Sequence, residues 1–259
     1  MRSGWAIVTG ASSGVGLAFA RELSRRGYPV LAVARRGERL EALAKEAIER
    51  GSPIEPLTAD LTTDGGLGSL VGRVQELDQI DLLINNAGVA TAGDFLGATI
   101  EEELAQIRLN VEAVATLTHA VLPGMVHRRR GTVINLASVV GFQPFPHFAV
   151  YAATKAFVIS FTEAVAEELR GTGVRLLALC PGAVRTEIDV FARNEGLLGK
   201  LPSLTADQVV QTGLRALDEG SVVKVVGGLN HFLPLIGRLM PRSAMRRLMG
   251  YSVHVRRTR

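Results

Sequence analysis

Apolar residues in this chain follow two rhythms. Short runs, WAIVT (5–9), VLAVA (30–34), IEPLTA (54–59), DLLIN (81–85), TVINLA (132–137), VRLLALC (174–180) and SVVKVV (221–226), are separated by longer stretches in which apolar residues recur three and four positions apart. The first rhythm is that of a strand buried on both faces, the second that of an amphipathic helix. In RRGERLEALAKEAIERG, Leu40, Leu43, Ala44, Ala47 and Ile48 share one helical face and Gly51 closes the segment. Alternation of the two predicts right-handed βαβ units and an α/β fold: one doubly wound domain, a seven-stranded parallel sheet with helices on both faces. Residues 1–228 form this domain, with 183–204 a long connection placed to act as a lid, and residues 229–259 form a basic amphipathic C-terminal extension.

Composition narrows the classes that remain. With 259 residues and 47% hydrophobic content the chain can bury a large core. No run approaches the roughly 18 to 20 uncharged apolar residues of a membrane span, and the N-terminus enters a strand at once, leaving no room for a leader. The single cysteine, Cys180, lies in an apolar run and reads as a core residue, which together with the missing leader predicts a cytoplasmic protein. The net charge of +4 is a property of the tail: from Ser221 to Arg259 there is no Asp or Glu, while Lys224 and seven arginines (238, 242, 246, 247, 256, 257, 259) lie there. Apolar residues alternate with those arginines, and three readings stay open: a subunit contact or packing on the domain, an edge of the substrate pocket, or weak peripheral contact with an anionic membrane. Nucleic acid is not an expected partner. The five histidines lack ligand-like clustering, so no metal site is expected.

Two loops carry chemistry. In WAIVTGASSGVGLAFARELSRRG, Gly10, Gly14 and Gly16 sit between a strand and an amphipathic helix, where backbone amides and the helix N-terminus can receive a pyrophosphate. The spacing is G-x-x-x-G-x-G, not the G-x-G-x-x-G of many dinucleotide sites. After the second strand, Ala34 is followed by Arg35 and Arg36 instead of a carboxylate, a pattern that suits a 2′-phosphate and predicts NADP(H) over NAD(H). Further on, YAATK (151–155) sets a tyrosine and a lysine four positions apart on one helical face. With three tyrosines and four lysines in the chain, one such pair arises by accident roughly 5% of the time, so the spacing gains meaning only from its context. A cation beside a phenol favours the phenolate, and Lys155 is therefore expected to lower the pKa of Tyr151.

TGASSGVG (9–16), NNAG (85–88), Asn110, Ser138, YAATK (151–155) and PGAVRTE (181–187) together resemble the classical short-chain dehydrogenase/reductase family, in the family's order and over about residues 5 to 226. The resemblance implies a Rossmann-type fold and an NADP(H)-dependent oxidoreductase that reversibly reduces a ketone or aldehyde. It implies a catalytic set of Asn110, Ser138, Tyr151 and Lys155. Tyr151 would be the proton donor, Ser138 would orient the carbonyl, Lys155 would hold the nicotinamide ribose, and Asn110 would hold a water linking Lys155 to solvent. Cofactor contacts would come from Gly10, Ser12, Ser13, Gly14, Val15, Gly16, Arg35, Arg36, Asp60, Leu61, Asn86, Ala87, Gly88, Pro181, Gly182, Val184 and Thr186, besides Tyr151 and Lys155. Ser13 stands where many NADP-preferring members carry a basic residue, which leaves phosphate recognition to Arg35 and Arg36.

The loop VVGFQPFPHFAV lies between Ser138 and Tyr151. Phe142, Phe145, His147 and Phe148 in it are expected to line the substrate site with Ser138 and to favour an apolar carbonyl compound. The family resemblance also implies a homodimer or homotetramer. Two other functions share these motifs: a catalytically silent NADP-sensing protein of the same fold, and a membrane-docked lipid or 3-oxoacyl reductase.

Overall fold

The structure, a computed structural model, describes residues 4–49, 53–185, 203–228, 230 and 240–252. Among these residues the strands are β1 (Trp5–Thr9), β2 (Val30–Ala34), β3 (Ile54–Thr58), β4 (Ile80–Asn85), β5 (Gly131–Leu136), β6 (Val174–Pro181) and β7 (Val223–Val226). They form one parallel sheet in the order β3-β2-β1-β4-β5-β6-β7, so the single doubly wound domain expected from the sequence is what the chain adopts. The order reverses at β1, which pairs with β2 on one side and β4 on the other. A crevice therefore opens above the carboxyl ends of β1 and β4, where ligands of such sheets bind.

Burial follows position in the sheet. Every residue of β2, β4 and β5 is buried, because helices cover both faces, whereas the edge strands β3 and β7 are only partly covered. Pro56 is tolerated in β3 because that strand is an edge. On one face α1 (Gly14–Arg25), α2 (Gly37–Glu49) and the helix Ala206–Asp218 contribute Phe19, Leu23, Leu40, Leu43, Val209 and Leu214 to the core. On the other, α3 (Asp64–Glu76) and the helix Ala113–His127 contribute Leu70, Val74, Leu117, Val121 and Met125. In chain order the later helices are α4 (Ile100–Ile107), α5 (Ala113–His127), α6 (Ala149–Glu168), α7 (Ala206–Asp218) and α8 (Arg242–Ser252).

Two expectations change. Ile48, which shares the helical spacing of Leu40, Leu43, Ala44 and Ala47, is 68% exposed, whereas Ala47 is buried. Two segments, Ile100–His127 and Ala149–Glu168, are long and apolar enough to cross a membrane by length and composition. Both lie against the sheet or its neighbours, and their apolarity reflects that packing plus an outer face with Ile100, Leu104, Ile107 and Phe157 exposed. The helical stretch from α4 to α5 passes through a π turn at Arg108–Glu112, and Asn110 is fully buried within it.

A buried polar chain holds the middle of the sheet to its helices. Asn85 Nδ2 donates to Asn135 Oδ1 (2.9 Å) and Thr118 Oγ1 (3.1 Å), and Asn135 Nδ2 donates to Thr162 Oγ1 (2.9 Å). β4, β5, α5 and α6 are thereby fixed in one register. Asn135→Ala would take from Asn85 Nδ2 one of its two acceptors, remove the donor to Thr162 Oγ1, and open a cavity. The unfolding free energy should fall by about 3 kcal/mol, read as a lower urea midpoint at unchanged m.

Candidate active site

The carboxyl ends of β1 and β4 are tied by one hydroxyl. Thr9 Oγ1 donates to the Ile84 carbonyl (3.3 Å) and accepts the backbone N–H groups of Asn86 (3.0 Å) and Ala87 (2.9 Å). Asn86 Nδ2 returns a bond to the Thr9 carbonyl (2.9 Å). The glycine loop rests on this knot. Gly10 has φ +68°, and a Cβ there would sit 2.7 Å from Asn86 Nδ2; a Cβ on Gly16 would strike the Gly10 carbonyl. Both positions need glycine so that the first turn of α1 can close over β1.

Above the loop lies a cavity of about 420 Å³, lined by Gly10, Ser12, Ser13, Gly14, Val15, Arg35, Arg36, Asp60, Leu61, Asn86, Ala87 and Gly88. These belong to the set expected to hold a cofactor, of which Gly16, Tyr151, Lys155, Pro181, Gly182 and Val184 lie outside the lining; Val33, Ala59, Val89 and Leu109, which no motif singled out, line it as well. The Arg36 guanidinium bridges Ser12 Oγ (3.0 Å) and Ser13 Oγ (2.7 Å). Burial would raise the Asp60 carboxyl, but hydrogen bonds from Thr62 and the nearby Arg35 charge hold it below its ordinary value. A larger cavity of about 470 Å³ lies at the opposite end of the sheet, between Arg26, Asp81, Arg130 and Arg175, away from all of these groups.

The four residues expected to carry catalysis converge beyond the end of β5. Ser138 is buried, hydrogen-bonds Tyr151, and also approaches the Pro181 carbonyl (3.4 Å). Lys155 is 6% exposed; its Nζ donates to the Leu136 carbonyl (2.6 Å) and lies 5.8 Å from the Tyr151 ring centroid. A Cβ on Gly88 would stand 3.1 Å from Asn110 Oδ1 and 3.7 Å from Lys155 Nζ, so this glycine lets the β4 loop run directly past both. Asn110 Oδ1 accepts from Val89 N–H (3.1 Å), and its Nδ2 donates to the Val89 carbonyl (2.9 Å) and Thr154 Oγ1 (3.1 Å).

The electrostatics differ from the sequence expectation. Burial pushes the Tyr151 phenol up to about 12, opposed by the Ser138 hydrogen bond, so Lys155 does not draw it down. Burial also pulls Lys155 down to about 8. Desolvation is the largest cause in both cases. Cys180, beside Lys155, is buried and pushed up to about 12, as suits a core residue.

The loop after Ser138 is packed more tightly than expected of a pocket wall. Phe145 and Phe148 are buried edge to face (centroids 5.8 Å apart, planes at 68°) beneath Met245 and Met249 of α8, with Tyr151 and Met240 against the same cluster. Phe142 packs inward on Val158 and Cys180. His147 has φ +64°; its Nδ1 lies 3.0 Å from Asp94 Oδ1, and its carbonyl accepts Gly93 N–H (2.8 Å). At the end of β6, Pro181 pairs with Val226, Gly182 abuts Asn230, and Val184 bridges to Leu204. Thr186 and most of the 183–204 connection lie outside the described residues.

A glycine-floored crevice at the reversal point of a doubly wound parallel sheet defines a Rossmann-type dinucleotide-binding protein. The family model for short chain dehydrogenases matches residues 4–195, and the chain belongs to that family of nicotinamide-dependent oxidoreductases. A short chain dehydrogenase of Pseudocercospora fijiensis is 39% identical over 186 residues, 71% of this chain and 60% of that protein. 17-beta-hydroxysteroid dehydrogenase type 3 of Rattus norvegicus is 33% identical over 243 residues, 92% of this chain and 76% of that one. A short-chain dehydrogenase from Sphingobium yanoikuyae, solved in complex with NADPH, superposes with a TM-score of 0.80 at 33% identity, covering 99% of this chain and 98% of that one.

The buried ammonium gives a test independent of turnover. A folded pKa near 8 below the unfolded value means that the unfolded chain binds more protons between pH 8 and 10.5, so this group's contribution to stability rises with pH across that window. Lys155→Met should be more stable than the parent at pH 7, by up to about 3 kcal/mol. Urea titrations should show that gap closing from pH 8 to 10.5.

Proposed function

We propose that the protein is an NADP(H)-dependent reductase acting reversibly on the carbonyl of a bulky, apolar ketone or aldehyde. The observation that carries this reading is the meeting of Ser138, Tyr151 and Lys155 beside the dinucleotide crevice. Bound there, the reduced nicotinamide would supply hydride. The Tyr151 phenol, protonated at neutral pH with its pKa near 12, donates a proton as negative charge builds on the carbonyl oxygen. Ser138 donates a second hydrogen bond to that oxygen and orients it. Lys155, still charged at neutral pH, holds ribose hydroxyls and keeps a positive field beside the phenol.

The preference for the 2′-phosphate is supported by Arg35 and Arg36 at the rim of the crevice after β2, where no carboxylate stands. The apolar substrate is supported by the Phe and Met cluster behind Tyr151 and by the hydroxysteroid dehydrogenase among the relatives. A silent sensor is disfavoured because the full catalytic set is assembled. Membrane docking through the tail is disfavoured because Met245 and Met249 of α8 are already buried on the domain. The exposed residues Ile100, Leu104, Ile107 and Phe157 suit contact with a second copy of the chain.

Tyr151→Phe should lower kcat about 1,000-fold with NADPH affinity, read by nicotinamide fluorescence, unchanged within twofold; retained turnover would refute Tyr151 as the acid. Arg35→Asp should lower the NADPH-to-NADH ratio of kcat/KM about 100-fold. An unchanged ratio would move phosphate recognition elsewhere.

A further inference from the structure

α4 contains an acidic run, IEEELAQI, of which one member faces inward: Glu103 is 7% exposed and Gln106 fully buried. Gln106 Nε2 donates to Glu103 Oε2 (2.5 Å) and Thr91 Oγ1 (2.6 Å), Thr91 Oγ1 donates to Glu103 Oε1 (3.2 Å), and Thr91 N–H donates to Gln106 Oε1 (3.1 Å). Every polar atom of this ring is thereby engaged. One turn further on, Asn110 takes both backbone groups of Val89. Residues 106 and 110, the second inside the π turn, are about 6 Å or less apart along the helix axis, and alternate residues of an extended chain about 6.6 Å. Gln106 and Asn110 can therefore bind residues 91 and 89 as a neighbouring strand would.

We propose that Gln106, locked by the buried Glu103 carboxylate, is a positioning residue that presses the 89–91 segment onto the helix and so keeps Gly88 against Asn110 and Lys155, closing the lysine off from water. The inference rests on the proposed role of Lys155. It explains why a carboxylate with only neutral donors is kept inside α4: exact placement of an amide is gained where an apolar residue would give only contact. The groups facing Lys155 are Tyr151 and Cys180 across the site and Asn110 and Gly88 from the loop side.

The test follows NADPH affinity by nicotinamide fluorescence against pH, and kcat with a diaryl ketone, in the full-length chain. In the parent, affinity should fall above about pH 8 as Lys155 loses its proton. Gln106→Leu should move that limb upward by about one pH unit, because water admitted past Gly88 relaxes the desolvation, and lower kcat about 10-fold. The double variant Glu103→Met/Gln106→Leu replaces the ring by apolar groups and should recover the parent urea midpoint while the limb and kcat stay displaced. Recovery of all three would make the ring structural only and overturn the proposal. Should Gln106→Leu fail to fold, Thr91→Ser should resemble the parent and Thr91→Val should shift the limb; identical behaviour of the two would also overturn it. Lys155→Met separates the two readings. If it leaves the parent's pH dependence intact, the role of Lys155 fails; if it abolishes the limb while Gln106→Leu leaves it in place, only the positioning role fails.

Discussion

A primary ammonium shut away from water is the constraint around which this site is arranged. Among the described residues, Lys155 reaches the interior with a hydrogen bond to the Leu136 carbonyl and no carboxylate within ion-pair distance. A buried charge so weakly compensated costs stability, and it persists only where its surroundings cannot relax around it. The surroundings are fixed from four sides: β5 through Leu136, α6 through the helix that carries the lysine, the β4 loop through Gly88, and Tyr151 one turn back. The phenol shares this confinement, which is why its pKa rises instead of falling. A phenol that keeps its proton at neutral pH is already in the form that an acid needs.

Rigidity of this order comes from the ends of the strands. Saturating the Thr9 hydroxyl with one acceptor and two donors fixes where β1 stops and β4 turns, and both the glycine loop and the Asn86–Gly88 segment hang from that point. The Asn85–Asn135–Thr162 chain then sets α5 and α6 against β4 and β5, and α6 carries Tyr151 and Lys155. Register in the sheet is thus passed to the helix that holds the chemistry, and a local slip would reach the site through backbone geometry alone.

The strands were legible because their apolar runs are bounded by turns: all seven lie within a residue or two of where the pattern put them, whereas their order in the sheet is read from the structure alone. The glycine loop and the Tyr151 and Lys155 spacing were legible because they answer to backbone and helix geometry, whereas Ser138 was legible through the family resemblance. What the sequence hid depends on tertiary burial. Glu103 sits in a run of three glutamates that reads as a solvated face, and only the packing of α4 shows which one turns inward. The sign of the Tyr151 shift was hidden for the same reason, since a pair of residues four apart specifies proximity and says nothing of desolvation. Phe145 and Phe148 looked like pocket lining because the helix that covers them, α8, is separated from them by about a hundred residues of chain.

That cover changes what the C-terminal extension is for. The 144–148 segment combines two prolines, a histidine at positive φ and few backbone bonds of its own, so it cannot hold its shape from within. Met245 and Met249 supply the missing side of its core, and Met240 reaches the cluster that includes Tyr151. Methionine fills irregular space without a strong preference of shape, which suits a wall that must fit two rings on one side. Under the proposed function, the residues that pack against Tyr151 therefore also bound the apolar side of the site. On that reading, alteration of α8 for a different substrate would act on proton transfer as well as on fit.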